Sequence, residues 1–231
     1  MNLRRIILSI LLSCSVISLS GCVVESTSEG LSERAMKMPI NKELGEMFNV
    51  LQGEYADIDK ERIDKISKEI SNGDIDTIKM VMKDPNSFEP PILFAYSEQV
   101  FKSGNFDVAM FWYYTAQLRA RSDANKSLDK SVHKGVTGLS VRYGSVIGKY
   151  ALENQTKLKD VMKNVIEWDK ISERSYNPKW VALLGDEAKF SSVIRFVSPN
   201  KYKTINDEVR KGWEAGFETA MKQLKEKEDS K

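Results

Sequence analysis

The chain has 231 residues, 41% of them hydrophobic and 29% charged, and its 35 Lys and Arg against 33 Asp and Glu leave a formal charge of +2. So balanced a surface excludes the basic footprint that nucleic-acid binding needs, and any block of like charge able to hold a domain flat on anionic lipid. The length allows one sizeable core or a short helical array.

At the N-terminus, Arg4 and Arg5 precede an apolar run from Ile6 to Leu19, which leads into Leu19-Ser20-Gly21-Cys22. Fourteen residues rise only about 21 Å as a helix, short of the roughly 30 Å hydrocarbon layer, so the run reads as a signal peptide and not as a spanning helix. The tetrapeptide resembles the lipobox of bacterial lipoproteins. That resemblance implies cleavage after Gly21, a diacylglyceryl thioether on Cys22 and acylation of the new amine by a palmitate-type chain, which makes membrane release negligible. Residues 1–21 are then a lipoprotein signal peptide and residues 22–38 a lipidated tether. From Val23 to about Lys37 the tether is rich in Ser, Thr and Glu, with a flexible-chain reach of roughly 20 Å. Enteric-type lipoproteins retained in the inner membrane carry aspartate where this chain has Val23, so the expected location is the outer membrane, facing the periplasm.

Loss of residues 1–21 removes two arginines and no acid, and 33 basic side chains then face 33 acidic ones. Cys14 leaves with the signal and Cys22 is consumed by lipid. No thiol remains for a disulfide, a catalytic cysteine or a thiolate metal site, and the fold must stand on its core.

Residues 39–228 read as a single α-helical domain of about eight helices. Ile63, Ile66 and Ile70 share one helical face, Asn72-Gly73 breaks it, and Ile75, Ile78 and Met82 share the next, which predicts an αα-hairpin. Asp84-Pro85 and Pro90-Pro91 stop one element and start another. Two helices, about 91–103 and 106–121, then meet at Gly104-Asn105. Leu93, Tyr96, Ser97, Val100, Gly104, Phe106, Ala109, Tyr113 and Ala116 fall at the spacing of a tetratricopeptide unit, without a second copy at a 34-residue period. The expected fold is therefore all-α, an irregular array of antiparallel helical hairpins, tetratricopeptide-like in part. A helix over 133–153, another carrying Leu158 to Trp168, and a last one opened by a capping-box-like Thr204 and Asp207 complete it, with fraying after Lys225. Ser192 to Val197 is the single candidate strand. Gly144 with Gly148 and Gly212 with Gly216 cost helix stability of roughly 1 kcal/mol each, which predicts close helix crossings at both pairs.

Eight of the 21 aromatic residues crowd between Phe94 and Tyr114. This density predicts that the helix beginning at Phe106 is a central rod packed on both sides, with one edge, carrying Trp112, Tyr113, Gln117 and Arg121, open to a partner. Signatures of catalysis mostly fail, and surface carboxylate pairs leave a two-acid glycosidase site only as a low-ranked alternative. His133 is the sole histidine and begins a helix; Asp57, Asp59 and Glu61 mimic calcium ligands, but Arg62 and Lys68 stand where glycine and glutamate are required. Gly138-Leu139-Ser140-Val141-Arg142 lacks the second glycine of a nucleophile elbow, and the Ser127/Lys130 and Ser131/Lys134 pairs lack companion motifs. No cofactor or metal is implied, and an enzyme is not expected.

The run Pro90 to Arg121, joined to the lipobox, to Tyr150-Ala151 and to Trp168-Asp169, resembles a group of small bacterial lipoproteins that includes periplasmic immunity proteins paired with lipase effectors of type VI secretion. The resemblance implies compartment and binding role: a periplasm-facing lipoprotein that binds and neutralises a secreted antibacterial effector, a phospholipase. The alternative is a tetratricopeptide-like scaffold lipoprotein in envelope assembly, and a third class is an envelope hydrolase. Partners are thus the cognate effector and, through the anchor, the membrane.

Overall fold

The computed structural model describes residues 51–229. The expected signal peptide, the expected lipidation site Cys22 and the expected tether lie outside the described residues. Asp59 caps α1 (Lys60–Ser71), its carboxylate accepting the Arg62 N–H at 2.9 Å, and Asp74 caps α2 (Ile75–Lys83) by accepting the Thr77 N–H at 2.8 Å. Between them Gly73 sits at φ 81°, with Gly73 N donating to Ile70 O and Asp74 N to Glu69 O. The same paired closure ends α3 (Pro90–Lys102), where Gly104 has φ 85° and Asn105 N donates to Val100 O. Both glycines supply the left-handed residue of a Schellman turn, and both hairpins follow the expected breaks.

The fold is all-α. Helix α4 (Phe106–Lys126) follows α3 antiparallel, α5 (Val132–Glu153) and α6 (Gln155–Ile171) form a third hairpin, and α7 (Tyr202–Asp229) closes the domain. Helices α1, α3 and α5 pack successively side by side, α4 packs against α3, α5 and α6, and α7 crosses α4 and α6. The long connection between α6 and α7 holds short 3-10 segments, one of which, Pro178–Leu184, lies on α4 and α5.

The central rod is α4, as its apolar circumference predicts. Phe94 stacks on Tyr143 and meets the edge of Tyr113, each at 5.6 Å between ring centres, while Trp112 meets Tyr96, Phe111 and Trp168 edge-on at 5.1–5.7 Å. Gly144 of α5 admits the Tyr113 side chain: a Cβ built there would stand 2.2 Å from its hydroxyl. That hydroxyl donates to the Ser140 carbonyl at 2.9 Å.

Three expectations need correction. A Cβ built at Gly212 would have no atom within 4 Å, so no close helix approach requires glycine there. Ser192 to Val197 is not a strand; it makes one antiparallel bridge, Phe196 to Ser127, because its partner is the short extended exit of a helix. The last helix begins at Tyr202, since Pro199 presets a helical turn ahead of it, and Asp207 lies in the second turn, bonded to Arg210 and Lys203.

Candidate functional site

Helix α4 runs five residues beyond its expected end, and this extension changes character. Arg119, Ser122, Asp123 and Lys126 continue the stripe that packs into the core, yet Arg119 and Asp123 are fully buried and Lys126 is 3% exposed. Buried charge is costly unless paired and hydrogen-bonded, so each must find partners.

Asp169, near the end of α6, is the hub. Its Oδ1 accepts from Arg119 Nε at 2.9 Å and Arg174 Nε at 3.2 Å; its Oδ2 accepts from Arg174 Nη2 and Arg210 Nη1, both at 2.7 Å. Burial pushes this carboxyl up, but the Arg174 charge and hydrogen bond, then Arg119 and Arg210, outweigh it and hold the pKa at about 2. Arg119 also stacks 4.6 Å over Trp168 and donates to Asn86 Oδ1 at 2.8 Å. The Trp168-Asp169 dipeptide thus takes one face and one edge of a single guanidinium.

Asp123 is the second hub. Lys126 Nζ donates to its Oδ1 at 2.8 Å, and Tyr176 Oη and Trp180 Nε1 both donate to its Oδ2 at 2.9 Å. Burial drives the Tyr176 phenol well above its ordinary range and, at Lys126, lowers the ammonium pKa against the pull of Asp123. Arg174 bridges the hubs: it donates to Asn206 Oδ1 at 3.2 Å and lies 3.8 Å from Asp123.

These groups floor a cavity of about 580 Å³ that opens to the surface between the end of α6, the segment after it and the first turns of α7. Lys126, Arg174, Tyr202, Asn206 and Arg210 line its interior, and Lys170, Ile171, Glu173 and Lys203 its rim. Both carboxylates accept at least three hydrogen bonds, and a group held near pKa 2 is poorly matched to proton abstraction near neutrality. The cations retain donors. Lys126 uses one of three N–H bonds within the domain. The arrangement is chemically suited to binding a group that accepts hydrogen bonds and carries negative charge.

The residues anticipated from the sequence lie elsewhere. Tyr113 and Gln117 are each only 2% exposed, and burial drives the Tyr113 phenol upward, so neither contributes an open edge. Trp112 is half-buried among aromatic rings, and Arg121 lies 4.8 Å over Trp213 of α7. The four do not form one groove, because Trp112 packs against Tyr96 and Trp168, Tyr113 against α5, and Arg121 against α7. His133 is half-buried, Ser140 Oγ donates within its helix to Val136 O, and Lys130 Nζ donates to the carbonyl and not the hydroxyl of Ser127. None of these lines the cavity.

Among the described residues no three His, Cys, Asp or Glu side chains gather closely enough to hold a metal ion, and no helix is long and apolar enough to cross a membrane. Comparison of the chain with protein-family models, with curated proteins and with solved structures gives no match.

Proposed function

We propose that this chain is an envelope lipoprotein, anchored through Cys22, that binds and neutralises a secreted antibacterial effector of the phospholipase class. The observation that carries the reading is the sequence Leu19-Ser20-Gly21-Cys22 behind Arg4, Arg5 and an apolar run, which puts the domain at the membrane a phospholipase would attack. The aromatic run of α3 and α4, similar to that of lipoprotein immunity proteins, supports the binding role. So does the chemistry of the buried hubs, whose carboxylates are engaged by donors while cations face a surface cavity. Inhibition asks only for a complementary surface, and tight binding for a few well-packed anchors.

A second reading, a scaffold in envelope assembly, draws on the successive packing of α1, α3 and α5, an arrangement that hairpin arrays use to present extended surfaces. Affinity capture from the native organism with the tagged full chain separates the two. A one-to-one complex with a secreted hydrolase, whose activity falls on titration, is the expected result. Recovery of resident envelope machinery alone would move the protein to the scaffold class.

A further inference from the structure

The buried hubs do not balance in charge. Arg119, Lys126, Arg174 and Arg210 have side chains no more than 11% exposed, while the only carboxylates as deeply placed in the cluster are Asp123 and Asp169. Asp207, bonded to Arg210, is 39% exposed and shares its charge with solvent. Four cations thus meet three anions, one of them at the edge, and the rim repeats the bias with Lys170 and Lys203 against Glu173.

The donors are in excess as well. Asp169 accepts four N–H bonds, which fills its acceptor sites, and Asp123 accepts three bonds, which leaves it little capacity for donors from a ligand. Lys126 keeps two N–H bonds beside the cavity, and its ammonium lies 5.1 Å from the centre of the Tyr202 ring, which walls one side. Nine of the fifteen lining residues are charged, five of them cations and four anions. At the mouth Ile171 is 84% exposed, an apolar side chain held beside a polar hole. Interface anchors fill pockets ringed by contacts that exclude water, and here the socket can take one side chain while the exposed Ile171 packs against its neighbours.

Resting on the reading of a protein-binding lipoprotein, we propose that this cavity receives the carboxylate of an acidic side chain from the partner protein, held by Lys126 with Arg174 and Arg210 behind it. The entering carboxylate supplies the missing counter-charge, and its oxygens satisfy the spare N–H bonds of Lys126.

The test uses the purified full chain in detergent, with NMR detection of the Trp180 indole N–H, which is bonded to Asp123 beside Lys126. Three probes are titrated: the capped peptide Gly-Glu-Gly, its Gly-Gln-Gly counterpart, and inorganic phosphate. A saturable shift with the glutamate peptide in the millimolar range, and none with the glutamine peptide, is expected. Lys126→Gln should weaken that binding at least tenfold. Asn206→Asp should do the same while keeping the fold, since it places a carboxylate beside Arg174 and uses up the charge surplus from within. Absence of a saturable response to the glutamate peptide would overturn the proposal, as would a response unchanged in Asn206→Asp. Binding of phosphate alone would overturn it too, reassigning the cavity to a small oxyanion. Because no partner is present, these outcomes are independent of the effector reading: peptide binding with no hydrolase captured would sink only that reading.

Discussion

Gly144→Ala tests the packing of the central rod. The new methyl would lie 2.2 Å from Tyr113 Oη and 2.8 Å from Cζ, so the whole ring end must move, not a flexible tip. Tyr113 has little freedom to do so: it is 2% exposed, abuts Phe94 and Tyr114, and its hydroxyl is bonded to Ser140 O. Overpacking of this kind costs about 1–3 kcal/mol. A phenol pushed off its buried acceptor costs about 1–3 kcal/mol more. Alanine returns about 1 kcal/mol through helix propensity, which leaves a net loss of about 3 kcal/mol. For a domain of this size that corresponds to a melting temperature lower by roughly 6–12 °C, read by circular dichroism. Adding Tyr113→Phe removes the closest atom and should recover about 1 kcal/mol, a coupling that a double-mutant cycle in urea measures. Gly212→Ala, whose new methyl would have no atom within 4 Å, serves as the control and should leave stability unchanged or raise it by up to about 1 kcal/mol. A Gly144→Ala protein as stable as its parent would refute the close-contact account.

Asp169→Asn should be the most damaging single change in the polar cluster, losing about 3–5 kcal/mol because it strands three guanidinium groups without their shared counter-charge; chemical denaturation measures this. Asp169 also sets an acid limit. Its folded pKa of about 2 lies below the ordinary 3.8, so its contribution is full above pH 3.8 and is lost as pH falls through 2, about 2.5 kcal/mol in all, visible as a steepening of acid unfolding in that window. His133 should titrate below its ordinary 6.5, since burial and then Lys130 and Arg121 disfavour its cation, and an NMR titration giving 6.5 or higher would contradict the packing around it. Cys22→Ser should abolish labelling by radioactive palmitate and release the protein from the membrane fraction without altering the melting of the domain.

The hairpins were legible because local chemistry and global packing agree in them. Asn72-Gly73 and Gly104-Asn105 carry glycines that the structure uses at positive φ, and the all-round apolar character of residues 106–118 announced a helix packed on every side. The polar cluster was not legible, for a physical reason. Charged residues are read as surface, and the helix is expected to end at about residue 121, ahead of Asp123 and Lys126. Their spacing held the signal: with Arg119 they extend the stripe of Trp112 and Ala116 at helical intervals, so the charges continue the core and do not end it. Their partners, Asp169, Arg174 and Arg210, lie in three separate later segments, and only tertiary packing brings them together. The same limit explains the misplaced edge at Tyr113 and Gln117, where periodicity shows a face but not what covers it. Likewise Gly144 and Gly212 look alike as sequence, yet a side chain at the first would strike a tyrosine and at the second would find room.

Arrays of helical hairpins ordinarily unravel from their ends, because each unit touches only its neighbours. Here Arg119 binds Asn86 on one side and Asp169 on the other, and Asp169 binds Arg210 of the last helix, so a single chain of hydrogen bonds runs from residue 86 to residue 210. Loss of α7 would therefore strip a donor from a carboxylate buried far upstream, and loss of the turn at Asn86 would leave an N–H of a buried arginine without its acceptor. The polar cluster converts a modular arrangement into one cooperative unit: unfolding should be all-or-none, and a chain truncated before residue 210 should fail to fold as a whole instead of keeping its first hairpins.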